Sequence, residues 1–477
     1  MTIRSRRTRS VALLCLAACG AVAPGGPRVV ASLPATTAPG RDYYKPFAPA
    51  ALLGNGLGTL LDGYRTQSPL TGGGLGPLVV RFDAPVTLDA NARLLASDDA
   101  TAPDVDAVPD DGGQVLTLWP KTPLTPGATY RLDLTGVRGA SGPAQGDARF
   151  TAPDPTAELM AAAAAVPPGT LTLTRYAAGT DDYARVMGPH RTAGVAFAGE
   201  GTLVIEDRRG GAKRGWGPTP KAVTIRVLAA WPASDSPVTV VLQHGAGDSA
   251  DFVLHTASDF CSASLPVVGI DAPTAGARAA GETILFDLDN LDATRDHLRE
   301  GAYDTVQLVK ALQANGQRVR FFGRSLGGII GTLVLAAAPG LEAAVLNQTG
   351  GELAQILDGP GIGTALGLFF TASTGLDPRA PPGDEGWRLL RAVGQLALDP
   401  ADPMSYARLV KVPRVLVQLA HDDLTIPNAT TRDLAHALGA KLAEWDLPPE
   451  FAGENPHSTY ELVPAMRAEA AAFLAAP

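Results

Sequence analysis

The sequence of 477 residues predicts an α/β architecture: a mostly parallel sheet with helices on both faces and a helical cap, preceded by a small all-β sandwich. Three observations predict it. Short strand-like stretches separated by Pro, Asp and Gly fill residues 66–152. From about residue 160, apolar runs alternate with helical stretches, and one Gly-x-Ser-x-Gly turn sits between such a run and an apolar helix. A composition of 45% hydrophobic and 18% charged residues supplies a core, and excludes a disordered chain, a coiled coil or a multi-span membrane protein. The net charge of −9 leaves no basic surplus for phosphates, which argues against nucleic acid as a partner.

Residues 1–19 read as a targeting segment. Arg4, Arg6, Arg7 and Arg9 make a positive start, and Val11 to Ala18 form an apolar stretch too short to span a bilayer. The run ends in Leu16-Ala17-Ala18-Cys19-Gly20, which resembles the lipobox of bacterial lipoproteins. That resemblance implies lipid on Cys19 and membrane attachment in the cell envelope or at the cell surface. The alternative is an ordinary secretory signal and a secreted protein. Of the three cysteines, Cys15 would leave with the signal and Cys19 would carry lipid. Cys261 then stands without a disulfide partner and reads as a buried apolar residue.

Residues 20–65, rich in Pro, Gly and Ala, read as a linker and irregular start. In 66–152, stretches such as Leu78–Phe82 and Val115–Trp119 suit a sandwich. The segment from Pro123 to Leu132 resembles the late turn and strand of bacterial Ig-like modules. A helical connector follows from Asp154 to Val166. Buried parallel strands are then expected at Val223–Leu228, Val238–Leu242, Pro266–Ile270, Arg318–Phe322, Ala343–Leu346 and Val415–Leu419. Between them, Tyr303, Val306, Val309 and Leu312 mark one helix, and Leu326 to Ala338 another that is apolar all round. The α/β domain thus runs over 160–477, with a cap at about 351–405.

The chemistry centres on Gly323-Arg324-Ser325-Leu326-Gly327-Gly328. With 53 Gly in the chain, chance alone supplies about 0.2 copies of the bare pentapeptide, so its context matters more than its letters. A strand leads straight in and a buried helix leads out. That strand–turn–helix is what a nucleophile elbow needs, because the sharp turn lifts the Ser325 hydroxyl to the helix N-terminus. A serine needs a base and an orienting acid, expected in the order Ser, Asp, His. Ala420-His421-Asp422-Asp423-Leu424-Thr425-Ile426-Pro427 fits the Asp-x-x-Val/Ile-Pro pattern of α/β-hydrolases. Its register selects Asp423, with Asp422 as runner-up. The last histidine, His457, precedes the C-terminal helix and completes the set, whereas His421 and His436 read as structural or surface residues. For the oxyanion hole, Leu326 N–H is one donor. Ala246 N–H, in Gln243-His244-Gly245-Ala246-Gly247-Asp248, is the other, with Gly247 as alternative. His244 reads as structural, packing under that loop.

No His-Glu-x-x-His, cysteine pair, phosphate loop or dinucleotide fingerprint is present, so neither metal nor cofactor is expected. With these residues in place, the chain resembles the bacterial α/β-hydrolases of the virulence-factor lipase type, surface lipoproteins with an N-terminal β-rich module. The resemblance covers roughly 235–350 and 405–465, including Asp271-Ala272-Pro273 and Arg295-Asp296-His297-Leu298-Arg299-Glu300. It departs at Arg324, where His is usual, and at Ala275. It implies lipase or lysophospholipase activity on a small, lipid or polymeric ester. A polyester depolymerase, a peptidase, or a non-catalytic surface protein are the other readings. In the cap, Ile362 to Ala372 carries Leu366, Leu368, Phe369 and Phe370, which suits an acyl chain if the segment covers the site, and plain core if it does not.

Overall fold

Alternating burial builds the N-terminal unit. The computed structural model describes residues 26–33, 47–48, 61, 74–90, 92–209, 216–279, 290–356, 359–380 and 383–477. The targeting segment with Cys19, and most of the expected linker, lie outside them. Ten strands occupy the unit: β1 (Val29–Leu33), β2 (Leu78–Phe82), β3 (Thr87–Leu88), β4 (Leu94–Ser97), β5 (Val105–Pro109), β6 (Val115–Pro120), β7 (Thr129–Asp133), β8 (Val137–Gly139), β9 (Gly142–Pro143) and β10 (Arg149–Thr151). They form sheets in the orders β1-β2-β6-β5, β10-β7-β4 and β3-β8-β9. In β7, Tyr130 and Leu132 point inward while Thr129, Arg131 and Asp133 do not, the two-residue period of a half-buried strand. Their inner faces enclose a core of Val80, Phe82, Leu116, Leu118, Tyr130, Leu132 and Phe150. Fully buried Tyr130 accepts a hydrogen bond at its hydroxyl from Thr125 N–H (2.9 Å), so the ring is buried without an orphaned oxygen.

One boundary is corrected here. Val29–Leu33 falls in the expected linker, yet it pairs antiparallel with β2, Val29 opposite Phe82 and Leu33 opposite Val79. Its partner lies some 45 residues further on, and a five-residue strand without that partner has nothing local to mark it.

The connector forms α1 (Ala157–Ala165) and leads into a nine-stranded sheet. Its strands are β11 (Thr170–Ala177), β12 (Phe197–Arg209), β13 (Trp216–Trp231), β14 (Val238–Gln243), β15 (Val267–Ile270), β16 (Arg318–Arg324), β17 (Leu341–Asn347), β18 (Val415–Ala420) and β19 (Lys441–Trp445). The order is β11-β12-β13-β15-β14-β16-β17-β18-β19. β14 to β19 run parallel, whereas β11, β12 and β13 join antiparallel. The expected parallel strand Val223–Leu228 is therefore corrected: it belongs to β13, antiparallel to both neighbours.

The longer helices of the domain are α2 (Asp181–Met187), α3 (Phe252–Ser262), α4 (Leu291–Ala314), α5 (Leu326–Ala337), α6 (Ile362–Thr374), α7 (Gly383–Leu398), α8 (Asn428–Ala437) and α9 (Pro464–Ala475), with single turns at Leu353–Ile356, Pro403–Ala407 and Thr459–Leu462 among the described residues. Because successive strand residues face opposite ways, one sheet feeds two cores. Val241, Val268, Phe321 and Leu346 pack with α4, α5 and α7, while Val240, Val267, Phe322 and Val345 pack with α3 and α9. Between β14 and its neighbours β15 and β16 the chain reverses its direction of travel across the sheet, the crevice where parallel sheets present ligands.

The 351–405 segment divides. α7 buries Leu389, Val393, Leu396 and Leu398 in the same core as α4. At about 1.5–3 kcal/mol for each such side chain, lifting α7 as a lid would forfeit too much, so this half is core. α6 differs, with Phe370 buried edge-on against Trp387 (centroids 5.4 Å apart) but Leu368 69% exposed. The N-terminal unit docks on α7 and the turn after it: Gly76 N–H donates to buried Asp399 Oδ2 (2.9 Å), and Arg388 pairs with Asp111 (3.3 Å).

Candidate active site

The Gly323–Gly328 turn joins β16 to α5 through a single strained residue. Ser325 has φ 52° and ψ −120°, a backbone region that L side chains rarely adopt. Its N–H donates to Asn347 O (2.8 Å) at the end of β17, and its own carbonyl accepts from Gly328 and Ile329, which holds the strain in place. The two flanking glycines are steric requirements. A β-carbon at Gly323 would lie 2.2 Å from the Gly327 carbonyl oxygen, and one at Gly327 would lie 2.1 Å from that of Gln243. The first closeness makes the turn sharp, and the second seats α5 against the end of β14.

His457 occupies the 3₁₀ turn Pro456–Ser458, its N–H accepted by the Asn455 side chain (3.0 Å). Its Nε2 lies 2.9 Å from Ser325 Oγ, and its Nδ1 lies 2.7 Å from Asp423 Oδ2. With Nδ1–H donating to the carboxylate, Nε2 is left as acceptor for the serine hydroxyl. The other carboxylate oxygen, Oδ1, accepts from Thr425 N–H (2.8 Å) and Ile426 N–H (3.0 Å), so Asp423 is buried with its lone pairs used. Asp422, by contrast, is exposed at φ 55°, and its N–H is held by the Asn428 side chain (2.9 Å). The structure thus brings together Ser325, His457 and Asp423 and leaves Asp422 outside.

The 244–247 loop lies alongside. Gly245 borders Ser325, since a β-carbon there would sit 3.5 Å from Ser325 Cβ. His244 is buried beneath the loop: its Nδ1–H donates to Gly245 O (2.8 Å), and its Nε2 accepts from Ala272 N–H (3.0 Å). Both ring nitrogens are therefore spent on loop backbone, and burial pushes its pKa down, favouring the neutral ring those bonds require. Leu326 N–H opens α5 beside Ser325, and Ala246 follows Gly245 with its residue exposed. Among the described residues, neither N–H donates to a protein acceptor.

The remaining histidines lie apart from this chain of bonds. His421 is half-buried between Glu444 (2.6 Å) and Asp446 (2.8 Å), whose carboxylates raise its pKa, and His436 is exposed on α8. Burial pushes the Cys261 thiol up to about 12, so it is not a thiolate nucleophile at neutral pH. Among the described residues no group of His, Cys, Asp and Glu is placed to hold a metal ion, and no helix is long and apolar enough to cross a membrane.

Three supporting residues escaped the sequence reading. Asn455 Nδ2 donates to Thr425 Oγ1 (3.0 Å), and Gln348 Nε2 donates to Pro456 O (2.8 Å). Glu461 receives the side chain of Arg324. These contacts span up to 137 residues of chain, beyond the reach of any local spacing rule.

No family model matches the chain, and no curated protein matches it. Several solved structures are similar. Acetyl xylan esterase 1 from Thermoanaerobacterium sp. JW/SL YS485 is 16% identical, with a TM-score of 0.42 over 66% of this chain and 92% of its own. An acetyl xylan esterase from Paenibacillus sp. R4 is 14% identical, with a TM-score of 0.42 over 65% and 92%. The Pyrococcus furiosus esterase Pf2001 is 12% identical, with a TM-score of 0.37 over 65% and 97%. At these scores the likenesses lend no weight to an activity, which is read from the residues alone.

Proposed function

We propose that the protein is a serine hydrolase of the α/β-hydrolase type that cleaves carboxylic esters through an acyl-enzyme on Ser325. The observation that carries this reading is His457 bridging Ser325 Oγ and buried Asp423 at a strained strand-to-helix turn. In this reading Ser325 Oγ attacks the ester carbonyl carbon as His457 Nε2 takes its proton, and Asp423 holds the resulting imidazolium. Leu326 N–H and Ala246 N–H receive the oxyanion. The tetrahedral intermediate collapses with cleavage of the C–O bond, and His457 returns the proton to the departing alcohol. Water then attacks the acyl-enzyme by the same route, releasing the acid and restoring the serine.

An apolar acyl group is the substrate class we assign, because the start of α6 is tied to the acid loop (Gly361 N–H to Leu424 O, 2.6 Å), and both that loop and α6 expose a leucine, Leu424 and Leu368. We further assign the N-terminal unit to the bacterial Ig-like modules and Cys19 to lipid attachment, which would place the enzyme on the cell envelope.

A fluorophosphonate probe tests the reading. It should label Ser325 in the folded protein, and Ser325→Ala should abolish labelling and cut turnover by about 10⁴–10⁶ while the thermal transition stays put. Absence of labelling in folded wild-type protein would sink the enzyme reading. A series of p-nitrophenyl esters of rising acyl length, beside lysophospholipid, polyester and a peptide amide, then assigns the substrate. Preference for acetyl over octanoyl esters would contradict the apolar acyl class.

A further inference from the structure

Arg324 immediately precedes Ser325 and closes β16, with its side chain only 15% exposed. Its guanidinium reaches away from the strand to the turn that carries His457. Nη2 donates to His457 O (3.2 Å) and to Glu461 Oε2 (2.9 Å), while Nε lies 2.8 Å from Glu461 Oε1 as an ion pair without hydrogen-bond alignment. Its third face meets the loop after β14, where a β-carbon at Gly245 would sit 3.5 Å from Nη1. One planar cation therefore bonds to the histidine turn and borders the oxyanion-side loop, while its residue is covalently joined to the nucleophile.

The histidine turn itself is short, and Gly453 at φ 99° precedes it. Consecutive residues of it are pinned from outside: Asn455 to Thr425, Pro456 O to Gln348, and His457 O to Arg324. Gln348 directly follows β17 and Arg324 closes the adjacent strand β16, so the imidazole is referenced to the rigid sheet rather than to its own loop. Proton transfer tolerates little displacement of Nε2 from Oγ, and misplacement by about 1 Å costs about 100-fold. Lysine would replace this group only in part, because its mobile ammonium is not held in the plane that lets Nη2 meet both the carbonyl and the carboxylate.

We propose that Arg324, held by Glu461, is a positioning residue that fixes the His457 main chain so that Nε2 stays in reach of Ser325. The inference rests on the serine-hydrolase reading above and deepens it. The test counts active sites by fluorophosphonate labelling taken to completion, then measures kcat per labelled site. Arg324→Gln should lower kcat by about 10–100-fold with KM changed less than about threefold, and Arg324→Lys should recover only part of the loss. Glu461→Gln, which spares the carbonyl contact, should cost less than about tenfold and still fold if the first variant does not. In the double variant, the loss should match that of Arg324→Gln within about twofold, because the two residues act as one unit. Millimolar guanidinium should restore part of the kcat of Arg324→Ala, an effect that lost packing alone would not give. A kcat per labelled site within twofold of wild type for Arg324→Gln, or multiplicative losses in the double variant, overturns the proposal. Wild-type protein that neither labels nor turns over overturns the underlying reading instead.

Discussion

Asp423 and Asp422 are neighbours with the same carboxyl group and opposite surroundings. Asp423 is buried with both oxygens engaged, whereas Asp422 turns to solvent at φ 55°. Asp423→Asn should therefore lower kcat by about 10³–10⁴, since an amide favours the wrong imidazole tautomer, while Asp422→Asn should stay within about twofold. Steady-state kinetics on one p-nitrophenyl ester separates the two, and equal losses would show that the acid is misassigned. Much of this site was legible because its signals are local. The glycines around Ser325, the Asp-x-x-Ile-Pro register and the terminal His each declare themselves within about six residues. Arg324 was visible only as an unusual residue before the nucleophile. Its use depends on Glu461, which no spacing connects to it.

Among the elements, legibility followed burial. Strands β14 to β18 are apolar on both faces and announced themselves as continuous runs. In the large sheet, the strands not foreseen, β11, β12 and β19, carry polar or charged residues on faces that stay open, so no continuous apolar run marks them. The 351–405 insertion could be read as lid or as core, and the structure makes α7 core. Next to it, Glu352 opens the turn Leu353–Ile356 at φ 56° with Oε2 lacking a partner among the described residues. Burial, then the nearby carboxylates of Asp433 and Asp402, push its pKa up to about 7. The unfolded chain releases this proton near the ordinary glutamate value, so folded stability falls as pH rises from about 4.3 towards 7, and the full cost persists above it. Glu352→Gln should consequently raise Tm by about 2–4 °C at pH 8 and leave it unchanged at pH 4, as scanning calorimetry would show. An equal gain at both pH values would contradict the titration and point to packing.

The molecule joins two units across α7, the turn after it and the Pro403–Ala407 helix, where Leu75 packs with Met404 and Ala407. Its exposed Arg388–Asp111 pair contributes about 0–1 kcal/mol, and the buried Gly76–Asp399 bond is the firmer link. On the proposed lipidation, metabolic labelling with palmitate should mark the wild-type protein in membranes. Cys19→Ala should lose both the label and the membrane fraction, and persistence of either would contradict the anchor.

The first strand changes what that anchor means. A linker running from Cys19 to residue 65 could let the enzyme range widely on a long leash. Because Pro27 O and Arg28 N–H are already bonded to the β unit, at Gln145 and Asp83, only eight residue steps separate Cys19 from Pro27, a reach of at most about 30 Å. With lipid on Cys19 the β unit would thus be moored close to the bilayer. A serine hydrolase anchored in this way would meet esters at or near the membrane surface it is tied to, on a tether too short for it to range far.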